Sequence, residues 1–478
     1  MQIPLGVLIW MMSGFFFLLS SSYYILEMIP SFLRHRKDYL NPNIPSNQEI
    51  LSLLSQTDQP FPKIKFQITT RGNEIDVVKR GIASIYTVSS GNQLFESNFE
   101  LLVVTDNPEE TKIFTDFFKE LHDLFPSEAI VVPPEYRTPN STLYKARSLQ
   151  YSVEYRKSKK SSSMKGRPRS FIFYFDAEST IKGEDFRRII HSVISFPDKK
   201  VFEGPIVYPH KYFKANVFSR QMEASRPFNC HHCAHVMKNP PPTHLHGSNL
   251  LVDEEIVNEI GWDFGRVDNR PLLAEDLIFG LNVYVKYGGS PFGWHGGRLS
   301  EQPPFSIRSS FNARTRWVTG AWQALKLLKK SPEFKKLSWQ QQMSIKLRIR
   351  LRIMTHSLSF FATSFVILSL AIFLFPSFFL SFQINSELLS PSFRTAQFLL
   401  TRFIFLPGTL LWFFGIYIGS LKNLELIEEI SQKDKIIEII KLLIITPLAG
   451  PIESFSALYA SIRWLIGKPY NSWAVTSK

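Results

Sequence analysis

Two carboxylates end an apolar run near the middle of the chain, in Phe171-Ile-Phe-Tyr-Phe-Asp-Ala-Glu-Ser-Thr180. The aromatic residues before them are typical of a β-strand. Because side chains alternate faces along a strand, the i, i+2 spacing predicts that Asp176 and Glu178 point the same way. In an open α/β sheet, acids beyond a strand's carboxyl end can hold a hard divalent cation against a diphosphate. For the motif in isolation, a buried strand running into a polar turn is the simpler interpretation.

Polar residues also follow two earlier strand-like runs. Thr70 and Arg71 close the run Ile64–Thr69, and Asp106 ends the next one. Arg71 can meet a phosphate or a base, and Asp106 can accept a hydrogen bond from a base or ribose. The alternatives are a strand–helix turn capped by Thr70 and an N-cap at Asp106.

Two cations stand near the start of a predicted helix, Leu143–Tyr155. Lys145 and Arg147 fall in its first two turns, where the helix dipole disfavours positive charge unless an anion is near. A bound diphosphate would supply that anion.

An acidic pair and a small-residue turn occur in the second half of the chain. Glu275 and Asp276 precede an apolar helical segment, where acids suit the helix dipole but can also supply a general base for a hydroxyl. Gly247 and Ser248 form either an acceptor-binding turn or only a turn before a strand.

A basic and aromatic pair follows nearer the carboxyl end. Arg316 can pair with a departing phosphate, and Trp317 can stack on a sugar. The alternative is a surface arginine beside a packed tryptophan.

A second cluster has the residue types of a zinc site. Cys230 and Cys233 are spaced Cys-x₂-Cys, and His244 and His246 follow them. Thiolate and imidazole ligands can hold a structural Zn²⁺ in tetrahedral geometry. The alternative is a polar loop over an acceptor site.

Composition separates the chain into a central α/β region and apolar ends. The 478 residues carry a net charge of +14, and 44% of them are hydrophobic. Much of the basic excess flanks apolar segments, which favours charge beside a membrane over a nucleic-acid surface. Two cysteines exclude a disulfide-stapled domain.

The elements that must position these residues follow from periodicity. The predicted domains are a transmembrane anchor (1–33), a linker (34–60), an α/β domain (61–330), a basic amphipathic segment at a membrane interface (331–354) and a membrane region of two or three spans (355–478). Strands are predicted at Ile64–Thr69, Phe99–Thr105, Ala129–Val132, Phe171–Phe175 and Val201–Val207. Basic residues after the anchor predict a cytosolic α/β domain. For Ile436–Ile466 the sequence leaves a bent helix and a re-entrant hairpin open.

The motifs taken in order resemble the family-2 glycosyltransferases of GT-A fold, most closely the egghead-type β-1,4-mannosyltransferases. The resemblance rests on Thr70-Arg-Gly72, Val104-Thr-Asp106, Lys145-Ala-Arg147, Asp176-Ala-Glu178, Gly247-Ser248, Ala274-Glu-Asp276, Glu301 and Arg314-Thr-Arg-Trp317. In the last motif, Ala313 stands where the family pattern has Gln.

The resemblance implies a role for each motif. Asp176 and Glu178 would hold Mg²⁺ or Mn²⁺, and Asp276, with Glu275 beside it, would be the catalytic base. Donor binding would fall to Thr70, Arg71, Asp106, Lys145, Arg147 and Arg316. Acceptor binding would fall to Gly247, Ser248 and Trp317.

The implied function is an inverting glycosyl transfer at the cytosolic face of a membrane. The expected donor is a nucleotide-sugar, GDP-mannose in the first instance, and the expected acceptor is a membrane lipid or lipid-linked sugar. We therefore expect a multi-pass protein of the Golgi/ER or bacterial plasma membrane. The alternatives are a processive polysaccharide synthase using a UDP-sugar and a non-catalytic membrane scaffold or transporter.

Overall fold

A computed structural model describes residues 15, 26, 28–40, 43–57, 60–72, 74–90, 93–122, 124–159, 168–374 and 406–470. Within these residues a seven-stranded sheet has the order β3-β2-β1-β4-β8-β6-β9, and a three-stranded sheet has the order β5-β10-β7. The strands are β1 (Lys63–Thr70), β2 (Phe99–Thr105), β3 (Ser127–Val131), β4 (Ser170–Asp176), β5 (Thr180–Ile181), β6 (Val201–Glu203), β7 (Ile206–Val207), β8 (Leu250–Asp253), β9 (Phe292–Trp294) and β10 (Leu299–Ser300).

Helices connect and cover these strands. The described α-helices of the amino-terminal half are α1 (Ile29–Leu40), α2 (Asn47–Thr57), α3 (Ile75–Ser89), α4 (Gln93–Glu96), α5 (Pro108–Glu120), α6 (Tyr144–Lys159), α7 (Gly183–Ser195), α8 (Val217–Ala224) and α9 (Arg226–Lys238). Those that follow are α10 (Glu254–Ile260), α11 (Glu275–Tyr287), α12 (Ile307–Leu328), α13 (Pro332–Lys336), α14 (Trp339–Leu374), α15 (Leu406–Glu425) and α16 (Gln432–Leu465).

The main sheet changes direction at β8. Strands β3, β2, β1 and β4 are parallel, whereas β8 runs antiparallel to both β4 and β6. The four parallel strands therefore bring their carboxyl ends, and the polar residues that follow β1, β2 and β4, to one edge. The α/β prediction is confirmed in this respect.

Strand β4 lies at the centre of the core. Its five consecutive residues Phe171–Phe175 are at most 2% exposed, as expected for a strand covered on both faces. On one face Phe173 packs against Phe66, which also packs against Phe186, and on the other face Tyr174 packs against Trp262. The aromatic run thus fixes the position of the acids at its end.

The predicted strand Val201–Val207 is two strands in different sheets. Gly204 and Pro205 separate β6 from β7. Pro205 has no N–H for a ladder, and a Cβ on Gly204 would lie 2.0 Å from a ring carbon of His295. The chain bends here because neither residue supports a continuous strand.

The transmembrane part of the predicted fold is wrong for the described residues, since no helix among them is long and apolar enough to cross a membrane. The predicted multi-pass placement in a Golgi/ER or plasma membrane is corrected on the same finding. Most of the predicted first span, together with residues 375–405 of the later spans, lies outside the described residues.

Helix α16 contains nearly all of the last predicted apolar segment and contacts the α/β domain. It is one continuous helix through Pro447 and Pro451 rather than a hairpin. Its Glu438 receives a hydrogen bond from Arg220 at 2.7 Å, and its Glu453 receives one from Arg314 at 3.0 Å. The helix therefore uses part of its surface to contact the α/β domain.

The predicted basic segment (331–354) comprises α13 and the first part of α14. Ile345, Ile349 and Ile353, spaced four residues apart, are at most 2% exposed and belong to the cluster formed with α11 and α12. The apolar side of this amphipathic stretch packs on the rest of the protein.

Candidate functional site

Asp176 and Glu178 come together at the end of β4. Asp176 is the last strand residue, and the Ser179 amide donates to the Asp176 carbonyl at 3.0 Å to close a turn. Carboxylate oxygens of Asp176, Glu178 and Glu301 all lie within 4.8 Å of one another. The turn, rather than the alternation of a strand, brings the two acids close.

Glu301, which follows β10, received no role from its sequence context. Its Oε1 accepts hydrogen bonds from Ser179 Oγ at 2.9 Å and Ser248 Oγ at 2.5 Å. Burial, and next the charge of Asp176, raise the pKa of Glu301 to about 7. A single Glu more than a hundred residues from the acidic pair gives no sequence signal of this proximity.

Lys145 connects the acids at β4 with the turn at Gly247. Its Nζ donates to Asp176 Oδ1 and, at 3.2 Å, to the Gly247 carbonyl. Burial alone would lower the pKa of Lys145, but Asp176 and Glu275 outweigh burial, and the pKa is raised. A charged Lys145 at the start of α6 is thus stabilised by carboxylates of the chain itself.

Asp276 lies beside Gly247 and close to Lys145. A Cβ added to Gly247 would stand 3.2 Å from both Asp276 Oδ2 and Lys145 Nζ. Asp276 Oδ1 accepts from the Leu277 amide at 2.8 Å. Burial, followed by the charge of Glu275, raises the pKa of Asp276 to about 7, the range suited to a general base near neutral pH.

The ends of β1 and β2 supply a second polar group. Asp106 Oδ1 accepts from Arg147 Nη2 at 3.5 Å and from Ser148 Oγ at 3.4 Å. The Arg71 guanidinium lies 4.8 Å from the centre of the Tyr144 ring, and burial lowers its pKa. Arginines and an acid at one sheet edge suit the phosphate and ribose of a nucleotide.

Two of the alternative capping roles are decided here. Asn107, not Asp106, caps α5, since its side chain accepts from the Glu109 amide at 3.1 Å. Thr70 does have a local role, because its Oγ1 accepts from the Gly72 amide at 3.2 Å.

Arg316 and Trp317 occupy the middle of α12. Arg316 is close enough to Asp276 to lower its pKa, against the stronger effect of burial. Trp317 is 37% exposed, with the Arg226 guanidinium 4.7 Å from its ring centre. Only Arg316 of this pair is thereby linked to Asp276.

The Cys/His residues also converge, but as three rather than four. Potential ligand atoms of Cys233, His244 and His246 lie within 4.8 Å of one another, and Cys230 is not part of this group. Cys230 Sγ donates to the Arg226 carbonyl within α9 at 3.4 Å.

The protein-family model described as glycosyl transferase family group 2 matches residues 171–416, just over half of the chain. The chain belongs to this family. It is a glycosyltransferase, and its α/β domain is GT-A-like, as the sequence predicted.

This glycosyltransferase is similar to two β-1,4-mannosyltransferases. It is 23% identical over 262 residues to egh of Drosophila melanogaster, covering 54% of this chain and 52% of the relative. It is 24% identical over 269 residues to bre-3 of Caenorhabditis briggsae, with the same two coverages. The glycosyltransferase thus spans about half the length of these curated relatives.

Among solved structures, the glycosyltransferase is similar to S. aureus TarS 1-349. The TM-score is 0.33 at 9% identity, with 84% of this chain and 92% of that chain covered. For TarS 1-349 in complex with UDP the TM-score is 0.36 at 10% identity, with 87% and 95% covered. Likeness at these TM-scores defines neither a donor nor a site.

Proposed function

We propose that this glycosyltransferase transfers mannose from GDP-mannose to a sugar hydroxyl with inversion at the anomeric carbon. The observation that carries the proposal is that Lys145 and Gly247 bring two acidic groups close together. Lys145 Nζ contacts Asp176 and the Gly247 carbonyl, and a Cβ added to Gly247 would stand 3.2 Å from both Lys145 Nζ and Asp276 Oδ2. Such a site can hold a donor diphosphate and deprotonate an acceptor within one cleft.

The donor half lies at the carboxyl edge of the parallel strands. We assign Arg71 and Asp106 to the nucleoside and Lys145 to the diphosphate, because Arg71 lies near Asp106 and Lys145 contacts Asp176. A diphosphate would draw Lys145 away from Asp176, because phosphate oxygens offer the same cation additional negative charge. That exchange would free Asp176 as the donor enters.

The carboxylate cluster fits a hard divalent cation. Asp176, Glu178 and Glu301 offer three oxygens in close range, the ligand type that Mg²⁺ or Mn²⁺ prefers. When bound, such a cation would offset negative charge on the departing nucleoside diphosphate. Ser179 and Ser248 hold the Glu301 carboxylate in place by their hydroxyls.

Asp276 is proposed as the base of a single displacement. The acceptor oxygen forms a bond to the anomeric carbon while the bond from that carbon to the diphosphate oxygen breaks. Asp276 takes the acceptor's proton at a carboxylate oxygen. Burial and the charge of Glu275 raise the pKa of Asp276, and Arg316 lowers it. The resulting pKa of Asp276 is about 7.

The choice of mannose rests on similarity to the two mannosyltransferases at 23–24% identity. A lipid-linked sugar is proposed as the acceptor class on the same resemblance, with Gly247, Ser248 and Trp317 as its contacts. Gly247 leaves space beside Asp276 that a side chain would fill.

The test is transfer by the purified full chain. GDP-mannose and a panel of UDP- and GDP-sugars would be supplied with a lipid-linked glycoside and with a short soluble glycoside, with and without Mn²⁺. We expect transfer from GDP-mannose, dependent on Mn²⁺ or Mg²⁺, and a single added β-linked residue. A product formed only from a UDP-sugar, or a long polymer, would contradict the donor or the single addition.

The matched control is Asp116→Asn against Asp176→Asn. Asp116 is an exposed acid of α5 that pairs with Lys119 and has no proposed role in the site. Asp176→Asn is expected to abolish metal-dependent transfer, and Asp116→Asn to retain it. Equal activity of the two variants would remove Asp176 from the site.

A further inference from the structure

The Cys/His group lies directly before the turn at Gly247, yet the proposed transfer reaction does not use it. Cys233 is 6% exposed on α9, and the imidazoles of His244 and His246 reach it from the segment leading into that turn. His244 Nε2 is 2.7 Å from Cys233 Sγ, and His246 Nε2 is 4.0 Å from it. A thiol and two imidazole nitrogens thus point into one buried space.

These separations suit a tetrahedral metal. With Zn–S of about 2.3 Å and Zn–N of about 2.0 Å, a tetrahedral centre separates S from N by about 3.5 Å. The two observed Sγ–Nε2 distances lie on either side of that value. Small rotations of the side chains would bring all three ligand atoms to bonding distance.

A neighbouring carboxyl group lies beside one of the imidazoles. Glu203 Oε1 is 3.1 Å from His246 Nδ1 and accepts from the His246 amide at 2.6 Å. Glu203 is fully buried at the end of β6, and its position relative to Nδ1 is outside hydrogen-bond geometry. A small rotation of the ring would let Nδ1–H donate to Glu203 and leave Nε2 for a metal, as in many zinc-bound histidines.

We propose that Cys233, His244 and His246 bind a Zn²⁺ ion that fastens α9 to the turn at Gly247 and Ser248. Three soft or borderline ligands in a buried site favour Zn²⁺ over Mg²⁺ or Mn²⁺. The ion would supply the positive charge that a buried thiolate needs. Through Gly247 and Ser248, which contact Lys145 and Glu301, it would also steady the carboxylate site.

Two neighbours define how the site accommodates the ion. Arg352 contacts His244 Nδ1, and the same guanidinium nitrogen is 3.3 Å from Thr243 Oγ1. With Nε2 on the metal, His244 carries its proton on Nδ1, so Arg352 shifts toward Thr243. Cys230 Sγ donates to the Arg226 carbonyl and lies beside Cys233, but it is not part of the three-residue ligand group, so the fourth position is left to water.

The experiment measures metal in the full chain. Protein produced in zinc-supplemented medium and dialysed against metal-free buffer would be assayed by inductively coupled plasma mass spectrometry. Replacement by Co²⁺ would then be followed by its visible spectrum. We expect about one zinc per chain and a thiolate-to-Co²⁺ charge-transfer band.

Variants decide which residues bind. Cys233→Ser is expected to lose the charge-transfer band and at least tenfold in zinc affinity. His235→Ala, on the same helix, and Cys230→Ser are expected to retain both. Absence of zinc and of the cobalt band in the wild type overturns the proposal. Zinc bound equally by Cys233→Ser and wild type overturns it too, and equal loss in Cys230→Ser and Cys233→Ser overturns the three-ligand assignment.

Because the readout is metal content and not transfer, the result is independent of the donor. A protein that binds zinc but turns over no GDP-mannose keeps this inference and loses the proposed function. A zinc-free protein that transfers mannose does the reverse. A circular dichroism spectrum of Cys233→Ser establishes that the variant is folded before its metal content is compared.

Discussion

The carboxylate cluster and the Cys/His cluster lie at the two ends of one short segment, residues 246–248, and differ in every chemical respect. Asp176, Glu178 and Glu301 offer charged oxygens, with Lys145 as their counter-charge. Cys233 and the two histidines offer sulfur and nitrogen. For both histidines, burial and then nearby arginines lower the pKa, so that the imidazoles are neutral.

One turn can therefore serve two purposes. Oxygen ligands that are partly paired with a lysine suit a cation that arrives with a diphosphate and leaves with it. Neutral nitrogens and a thiol, buried together, suit an ion that stays and holds structure. Chemical hardness would direct the two ions to different clusters although both clusters contact one turn.

The largest expected effect comes from removing the proposed base. Asp276→Asn keeps the size of the side chain but cannot take a proton, so kcat should fall by about 10²–10⁴-fold. Zinc content and the concentration of Mn²⁺ giving half-maximal binding should not change. Steady-state kinetics and metal analysis on the same preparation check this, and full transfer activity would dismiss Asp276 as the base.

The pH dependence of kcat/KM should report the ionisation of Asp276. The raised pKa of Asp276, about 7, means that the base is protonated and inactive at lower pH. The rate should therefore rise about tenfold per pH unit up to neutrality and then level off. At saturating Mn²⁺ the same rise with pH should be seen in Cys233→Ser. Its loss in that variant would show that the Cys/His cluster affects the ionisation of Asp276.

Glu301→Gln should weaken the carboxylate cluster alone. Loss of one charged oxygen is expected to raise the Mn²⁺ concentration required for half-maximal activity by about tenfold or more. Zinc content should stay at the wild-type value. Titration of activity with Mn²⁺ measures the effect, and an unchanged requirement would exclude Glu301 as a ligand.

Gly247→Ala tests the turn that the clusters share. The new Cβ would stand 3.2 Å from Asp276 Oδ2 and Lys145 Nζ, closer than ordinary contacts, so Lys145 must shift. We expect a rise of about threefold to tenfold in acceptor KM, in line with a small displacement of positioned groups. Gly183→Ala, where the nearest atom is 3.7 Å away, is the control and should behave as wild type.

The smallest effect concerns stability without a divalent cation. The folded pKa values of Asp276 and Glu301, both about 7, exceed their ordinary values of 3.8 and 4.5. The folded protein therefore holds protons that the unfolded chain releases, and the free energy of unfolding falls as pH rises from about 4 to 7. Denaturation at several pH values measures this fall, which Mg²⁺ should reduce by stabilising the charged Glu301.

Much of the α/β domain was predictable because its strands carry local signals. The predicted strand Phe99–Thr105 matches β2, and Ile64–Thr69 and Phe171–Phe175 fall within β1 and β4. Apolar runs that end in polar residues fix both the strand and the position of its acids. The apolar carboxyl-terminal segments were predicted as spans from hydropathy, but no helix among the described residues is long and apolar enough to cross a membrane.

The sequence indicated a candidate site residue only where that residue stands in a recognisable motif. Asp176, Glu178 and Asp276 stand in short acidic motifs at element ends. Glu301 and Glu203 stand alone in the sequence, and only contacts from distant segments show that they face the two clusters.

The sequence by itself determined the strands, the acids at their ends and the family to which the chain belongs, because these depend on residue type and spacing along the chain. The tertiary structure decided which distant groups share a space. It joined Glu301 to the acidic pair, grouped Cys233 with His244 and His246 without Cys230, and placed both clusters near Gly247. The physical reason is that packing and hydrogen bonds between distant segments, which no local pattern encodes, set these distances.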